Sequence, residues 1–267
     1  MCFSRLKHIY QFKTRTMKRS VKSLKGFTMG ATDGEIGKVD EFYFDDETWT
    51  IRYLVVNTGG WLSGRSVLIS PNALKEPNWA KETFPIDLTK QQVQDSPDID
   101  TAKPVTREQE LALYDHYAWP YEVPGGAGFY GGMGMMGMTD SRVPFEDNIA
   151  EQYGERRVAD QHLRSTSDVK GYTIHAIDGT IGDVEDFIID QNTWRIHFMV
   201  VDTGNWFPGK KVLISPKWIK EIDWQSSSVY LDLYVEEVKN SPEYDPSNSL
   251  TEGYETNLYT YYSRGEE

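Results

Sequence analysis

The sequence predicts a mainly β protein with short helices, built from two tandem small β-barrels. Two observations favour this class. The second half of the chain repeats the pattern of the first half, and the matched segments are short, β-branched and aromatic, with turns between them. Each copy then changes to helical spacing, which predicts short C-terminal helices. We divide the chain into a basic disordered tail (1–19), repeat 1 (20–117), a Gly/Met-rich flexible linker (118–166) and repeat 2 (167–263).

The internal repeat keeps one register throughout. Gly26 aligns with Gly171, so equivalent positions lie 145 residues apart (171 − 26), and no gap is needed. The matched segments include Asp33-Gly34 with Asp178-Gly179, Ile36-Gly37 with Ile181-Gly182, Thr48-Trp49 with Thr193-Trp194, Val67–Pro71 with Val212–Pro216, and Ser96-Pro97 with Ser241-Pro242. A match of this length predicts two copies of one fold.

The first elements of each copy read as strands. Phe27–Ala31 and Ile36–Asp45 form a predicted hairpin, because Asp33-Gly34 suits a turn that needs positive φ. Thr50–Val56 follows as a second strand rich in β-branched and aromatic residues. Short strands at Val67–Ile69 and Thr83–Leu88 complete a pattern that is typical of a small barrel or sandwich.

Helix signals come after the strands. Thr89 with Gln92, and Thr106 with Gln109, have the spacing of capping boxes, and Thr251 opens the equivalent helix in repeat 2. The apolar positions of the longer helices are Leu111, Tyr114 and Tyr117 in repeat 1, and Leu258, Tyr259 and Tyr262 in repeat 2. We expect these faces to dock on the barrels.

The charge and the cysteine content of the chain indicate which kinds of partner and which cellular compartment to expect. The net charge is −13, although residues 1–25 hold eight basic residues and no acidic one. An acidic body repels phosphate, so we expect no nucleic-acid partner. The single Cys2 fits a reducing compartment. Without a membrane-spanning or signal-peptide run, we expect a cytoplasmic protein with no integral membrane segment. The basic N-terminus is either a solvated tail, a membrane-surface or transit-type segment, or sequence upstream of a true start at Met17.

The repeated core resembles the PRC-barrel family, known from the cytoplasmic domain of the photosynthetic reaction centre H subunit and from a ribosome maturation factor. The residues that carry the resemblance are Asp33–Gly37, Tyr53–Thr58 and Val67–Pro71, with their second copies at Asp178–Gly182, Phe198–Thr203 and Val212–Pro216. The resemblance implies barrels that bind other proteins. The chain has no transmembrane helix like that of the H subunit, and no room for the domain that precedes the barrel in the ribosome factor.

One repeated loop is our candidate binding surface. Trp61 and Arg65 lie in a Gly-rich loop between two strands, and Trp206 and Lys210 are their equivalents. Trp and Arg are favoured anchors of protein interfaces. The alternative is internal packing, in which these tryptophans cap the barrel or meet between the two repeats. Trp49 and Trp194, which open strands, are expected in the core.

No pattern predicts catalysis, a metal or a cofactor. The acidic turn at Asp45-Asp46-Glu47 becomes Asp190-Gln191-Asn192 in repeat 2 and lacks calcium-loop spacing, so we interpret it as a solvated turn. Met133, Met135, Met136 and Met138 fit a linker with adaptable contacts or, alternatively, a soft-ion site. The five histidines are scattered.

The sequence therefore predicts a non-enzymatic, cytoplasmic scaffolding or regulatory module with an unidentified protein partner. Repeat–repeat packing or a homo-oligomer is compatible with the duplication. Two rivals stay open at this stage: a membrane-associated role in photosynthetic electron transfer, by analogy with the H subunit, and a metal-dependent or enzymatic protein.

Overall fold

The computed structural model describes residues 17–101, 103–119, 162–204 and 209–262. Repeat 1 contains β1 (Lys18–Ser20), α1 (Val21–Leu24), β2 (Thr28–Ala31), β3 (Gly34–Asp45), β4 (Thr50–Asn57), β5 (Ser66–Ile69), β6 (Thr83–Pro85), α2 (Lys90–Gln94) and α3 (Arg107–Tyr117). Repeat 2 contains β7 (Leu163–Ser165), α4 (Thr166–Val169), β8 (Thr173–Ala176), β9 (Gly179–Asp190), β10 (Ile196–Asp202), β11 (Lys211–Ile214), β12 (Ile219–Asp223), β13 (Ser228–Leu231), α5 (Val235–Lys239) and α6 (Glu252–Tyr261).

Each repeat is organised around one sheet. The strand order in repeat 1 is β5-β4-β3-β2-β6, and in repeat 2 it is β11-β10-β9-β8-β13-β12. The β2–β6 and β8–β13 pairs are parallel, whereas the neighbours along the chain pair antiparallel. The predicted mainly β fold, with two tandem units and short helices after each set of strands, is confirmed.

The repeated Ile-Gly motif has a steric cause. A Cβ added to Gly37 would lie 2.0 Å from the carbonyl oxygen of Asn57, and one added to Gly182 would lie 2.0 Å from that of Asp202. Only glycine allows two strands to approach this closely. The glycine of this motif therefore marks the point of closest approach between β3 and the end of β4, and between β9 and the end of β10.

The core follows from strands that are buried on both faces. Most of β4 is buried, including Tyr53, and a single apolar cluster includes residues of both repeats. The helices begin at the predicted caps: Thr89 and Thr106 form capping boxes with their glutamines, and Thr251 caps α6. Of the predicted helix faces, Tyr114, Tyr117, Leu258 and Tyr262 are buried and Tyr259 packs against the core, whereas Leu111 is only half-buried and Leu113 is buried instead.

The two copies differ at the second-last strand before the helices. In repeat 2, β12 pairs with β13 along most of its length. In repeat 1 the equivalent segment makes only isolated bridges, Leu74 with Ile86 and Asn78 with Thr83. Pro77 stands where repeat 2 has Ile222, and proline has no N–H to donate to a ladder.

Short arms exchange between the repeats. β1, the first strand of repeat 1, pairs with β9 of repeat 2, and β7, the first strand of repeat 2, pairs with β3 of repeat 1. The registers are equivalent, because Ser20 lies opposite Ile188 and Ser165 lies opposite Tyr43, each displaced by 145. The arrangement has a pseudo-two-fold symmetry.

The exchange corrects two predicted boundaries. Lys18 and Arg19 belong to a strand rather than to the predicted tail, and residues 162–166 belong to repeat 2 rather than to the linker. Three-residue strands carry no periodicity of their own, and their partner strands lie in the other repeat. Trp119, at the start of the predicted linker, is also buried, against Tyr114 and Tyr117 of repeat 1. Residues 1–16 of the predicted tail and 120–161 of the linker, including Met133 to Met138, lie outside the described residues.

Backbone bonds on the pseudo-two-fold axis join the repeats. The N–H of Ile51 donates to the carbonyl of Trp194 at 2.9 Å, and the N–H of Ile196 donates to that of Trp49 at 2.7 Å. Both tryptophans have positive φ, 56° and 57°. The ring of Trp194 packs against Phe42 and Phe84 of the other repeat. Trp49 and Trp194 thus pack internally, as predicted, and Trp194 does so across the two repeats.

Candidate functional site

The predicted binding loop of repeat 1 is held to its own barrel. The segment Gly59–Leu62 forms a 3₁₀ turn. The indole N–H of Trp61 donates to the carbonyl of Ile36, and the ammonium of Lys90 lies 4.6 Å from the ring centre. One edge of the half-buried ring lines a shallow cleft of about 660 Å³. Among the described residues, these contacts of Trp61 all lie within repeat 1, where the ring covers the edge of its own sheet.

The two loop cations bind helix ends. Arg65 donates to the carbonyls of Val93 at 3.3 Å and Ser96 at 3.1 Å, at the C-terminus of α2. Lys210 donates to the carbonyls of Lys239 at 2.6 Å and Ser241 at 3.0 Å, after α5. These bonds satisfy carbonyls that a helix end leaves without an intrahelical partner.

The recognition role of this loop therefore stays a prediction. Trp206 lies outside the described residues. The bonds of Arg65 and Lys210 to carbonyls of their own repeats are enough to explain why both repeats carry a cation at this position, and no partner protein is needed for that explanation.

Side chains lock the exchanged arms in place. The guanidinium of Arg19 stacks 4.2 Å from the ring centre of Trp79, and that of Arg164 stacks 4.1 Å from that of Trp224. The hydroxyl of Ser20 donates to Asp186, the equivalent of the Ser165–Glu41 contact. Burial raises the pKa of the Glu41 and Asp186 carboxyls, and hydrogen bonds from Ser167 to Glu41 and from Ser20 to Asp186 offset part of the effect.

The long helix of each repeat, α3 or α6, carries one buried glutamate that faces the sheet. The cation that pairs with this glutamate differs between the repeats. In repeat 1, Arg52 lies 3.4 Å from Glu110 and 3.5 Å from Asp45, and the Tyr53 hydroxyl donates to Glu110 at 2.9 Å. Both cation and anion come from repeat 1 itself. A buried ion needs such compensation, because desolvation is costly.

In repeat 2 the cation comes from the exchanged arm. His197 occupies the position of Arg52, and Lys18 of β1 forms the ion pair with Glu255. Each of these two side chains is only 8% exposed. Burial, followed by the nearby charge of Lys18, lowers the pKa of His197 to about 4. The three side chains line an open cleft of about 1050 Å³ between the repeats.

An exposed apolar face lies on the outer side of the repeat 2 sheet. Ile177 is 54% exposed, Tyr230 38% and Tyr234 53%. The His175 ring stacks on Tyr230 with centres 5.0 Å apart, and β8 and β13 place these two residues directly opposite each other. The N–H of Ile177 donates to the carbonyl of Leu233 at 2.9 Å, so the backbones that carry Ile177 and Tyr234 run side by side, with the exposed Asp232 between Tyr230 and Tyr234. We call His175, Ile177, Tyr230 and Tyr234 the repeat 2 face.

Repeat 1 has no such face. The residues at the equivalent positions are Gly30, Thr32, Pro85 and Thr89. The barrel therefore folds without aromatic side chains there. Sequence reasoning missed the repeat 2 face because it compared the copies for matches; the signal lay in four positions that differ together.

The surroundings of the repeat 2 face are acidic. Asp178, Glu221, Glu236 and Glu237 are exposed around it. The equivalents of the first two, Asp33 and Glu76, are also acidic, but those of the last two are Gln91 and Gln92. Repeat 1 also has Lys90 where repeat 2 has Val235. These three differences make the repeat 2 surface more negative by three charges.

The first aspartates of the acidic turns are not solvated, contrary to the prediction: Asp45 is 7% exposed and Asp190 3%, because each carboxylate folds back on the N–H groups of its own turn. The carboxylate of Asp45 accepts from the N–H of Thr48 at 2.7 Å, and that of Asp190 accepts from the N–H of Asn192 at 2.7 Å. Among the residues that the structure describes, no group of three or more His, Cys, Asp or Glu could hold a metal ion. Within the same part of the chain, no helix is both long and apolar enough to cross a membrane.

Comparison with known proteins defines the class of this double barrel. A family model of the PRC-barrel domain matches residues 20–91 and 162–237, which make up more than half of the chain. The chain therefore belongs to the PRC-barrel family. It is also similar to an uncharacterised protein of Deinococcus radiodurans, with 37% identity over 76 residues. That match covers 28% of this chain and 27% of the relative.

Proposed function

We propose that this chain is a non-enzymatic protein-binding module, in which two PRC barrels joined by exchanged arms recruit a partner protein through the repeat 2 face. The observation that supports this most directly is the contrast between the copies. Four equivalent surface positions carry a histidine, an isoleucine and two tyrosines in repeat 2, but a glycine, a proline and two threonines in repeat 1.

The physical argument rests on exposure. Scattered single apolar side chains are normal on a protein surface, but adjoining ones mark interaction sites. Ile177 and Tyr234 are more than half exposed, and Tyr230 adds a ring beside them. Tyrosine is favoured at interface centres, since it buries much area and can still form a hydrogen bond. Repeat 1 forms the same fold without an isoleucine or tyrosines at these positions. This favours a role in binding a partner, rather than in stabilising the fold, for the side chains of repeat 2.

The test replaces face residues with the residues that repeat 1 carries. The double variant Ile177→Thr and Tyr234→Thr should fold with an unchanged melting temperature, because both side chains are largely exposed. Co-purification at native expression level compares this variant with the wild type and with Thr89→Ser, a capping-compatible change at the position equivalent to Tyr234. We expect the stoichiometric partner to be lost only from the double variant. Equal recovery from all three chains would contradict the proposal.

The same experiment separates the two candidate surfaces. Trp61→Phe keeps a ring in the predicted loop but removes the N–H that donates to Ile36. Loss of the partner from Trp61→Phe, with retention by the Ile177/Tyr234 variant, would assign binding to the loop instead.

A further inference from the structure

We infer that the repeat 2 face takes a basic protein segment with an apolar anchor, at one site per chain. This inference rests on the proposed function and adds the chemistry of the partner. The first step is the shape of the surface. His175 and Ile177 point outward from one strand, and Tyr230 and Tyr234 from the segment beside it. Such a strip accommodates a narrow apolar element rather than a broad sheet or a small molecule.

Charge supplies the second step. The acidic residues around the strip are exposed, and Glu236 and Glu237 follow Tyr234 in the sequence after Val235. Where repeat 1 has Lys90, repeat 2 has the apolar Val235. Interfaces place opposite charges opposite each other, and like charges across an interface are costly. An apolar strip with an acidic rim is therefore complementary to apolar side chains with flanking lysines or arginines.

The same charge argues against two other occupants. The chain carries a net charge of −13, so a second copy would bring acidic surfaces together. Nucleic acid would meet the same repulsion. A basic protein segment, by contrast, gains both from burial of its apolar anchor and from the acidic rim.

The test uses two short probe peptides, one of lysine and leucine and one with glutamate in place of lysine, titrated calorimetrically into the full chain. We expect the lysine peptide to bind and the glutamate peptide to bind at least tenfold more weakly. Added salt should weaken the binding of the lysine peptide, since salt screens the attraction between exposed charges.

Two variants built from repeat 1 residues locate the site. Glu236→Gln with Glu237→Gln should weaken the lysine peptide about fivefold, which corresponds to two exposed charge contacts. The Gln at position 237 can still cap α5, as Gln92 caps α2. The double variant Ile177→Thr and Tyr234→Thr should bind both peptides more weakly than the wild type does. The control, Glu35→Gln with Asp40→Asn on repeat 1, removes the same net charge elsewhere and should change affinity less than twofold.

The outcomes separate this inference from the proposed function. If the Ile177/Tyr234 variant loses binding but both peptides bind the wild type equally well, the basic chemistry is wrong and the binding face stands. If the lysine peptide is weakened equally by the control and by the Glu236/Glu237 variant, attraction to the whole acidic chain explains the binding and the inference fails. If neither peptide depends on Ile177 and Tyr234, both the inference and the face are refuted.

Discussion

Substitution of Lys18 should destabilise repeat 2, although Lys18 lies in the first strand of repeat 1. Its ammonium forms the ion pair with Glu255 under α6, and it lies 5.6 Å from the ring centre of Phe198. Lys18→Leu introduces the residue found at the equivalent position in the other arm, Leu163. The change keeps an aliphatic side chain in the arm and removes only the charge.

The size of the effect follows from burial. Each partner is 8% exposed, so little water can replace the lost cation. Removal of one partner of a buried pair costs about 3–5 kcal/mol, and we expect about 3 kcal/mol at neutral pH because the adjoining cleft is open.

Urea unfolding at pH 7 measures this, in a cycle of Lys18→Leu, Glu255→Gln and the double variant. We expect the double variant to recover much of the loss, because the uncompensated charge is gone. Lys22→Leu is the control on the same segment, since that lysine is 68% exposed and should cost less than about 0.5 kcal/mol. A cost for Lys18→Leu no greater than that of the control, or no rescue by Glu255→Gln, would refute the reasoning.

Three further predictions concern stability. Gly182→Ala should cost about 2 kcal/mol or more in urea unfolding, because its Cβ would lie 2.0 Å from the carbonyl oxygen of Asp202. Acid titration of stability should show a loss of about 1–2 kcal/mol between pH 6.5 and 4 that is absent in His197→Gln: the unfolded histidine takes up a proton near 6.5, whereas the folded one, with a pKa of about 4, stays neutral. Arg65→Met should cost about 1.5 kcal/mol of unfolding free energy, and Arg65→Lys much less, as repeat 2 uses lysine there.

Each of these has a control and a contrary outcome. Gly60→Ala should be nearly neutral, because its Cβ would meet nothing within 4 Å. An equal cost for Gly60→Ala and Gly182→Ala would contradict the steric argument. An unchanged pH profile in His197→Gln would mean that other groups cause the acid loss. If Arg65→Met unfolds like the wild type, the helix-end bonds contribute nothing measurable.

Sequence patterns predicted the elements whose cause is local. The caps Thr89, Thr106 and Thr251 lie where side-chain spacing placed them. The repeat itself predicted two equivalent sheets, because buried strands must keep their apolar residues in register. Trp49 and Trp194 were predicted to pack internally, although their place between the repeats was not.

Features that depend on the other repeat could not be predicted. Lys18 and Leu163 lie in three-residue strands, and nothing in those few residues shows that they pair with a strand more than a hundred residues away. The cation at Glu255 was missed for the same reason.

Two further features depend on residues that are distant in sequence or differ between the copies. Arg65 was interpreted as a surface anchor because the helix whose end it binds lies outside its own loop. The repeat 2 face required comparison of differences between the copies.

The repeat 2 face is the central functional claim, and site-specific photocrosslinking in the native cell tests it most directly. A benzophenone side chain would replace Tyr234 in one chain and Thr89, its equivalent in repeat 1, in another. We expect a discrete protein adduct from position 234 that the lysine–leucine peptide competes away, and none from position 89. Identical adducts from both positions, or none from position 234 while the partner still co-purifies, would place binding elsewhere on the molecule.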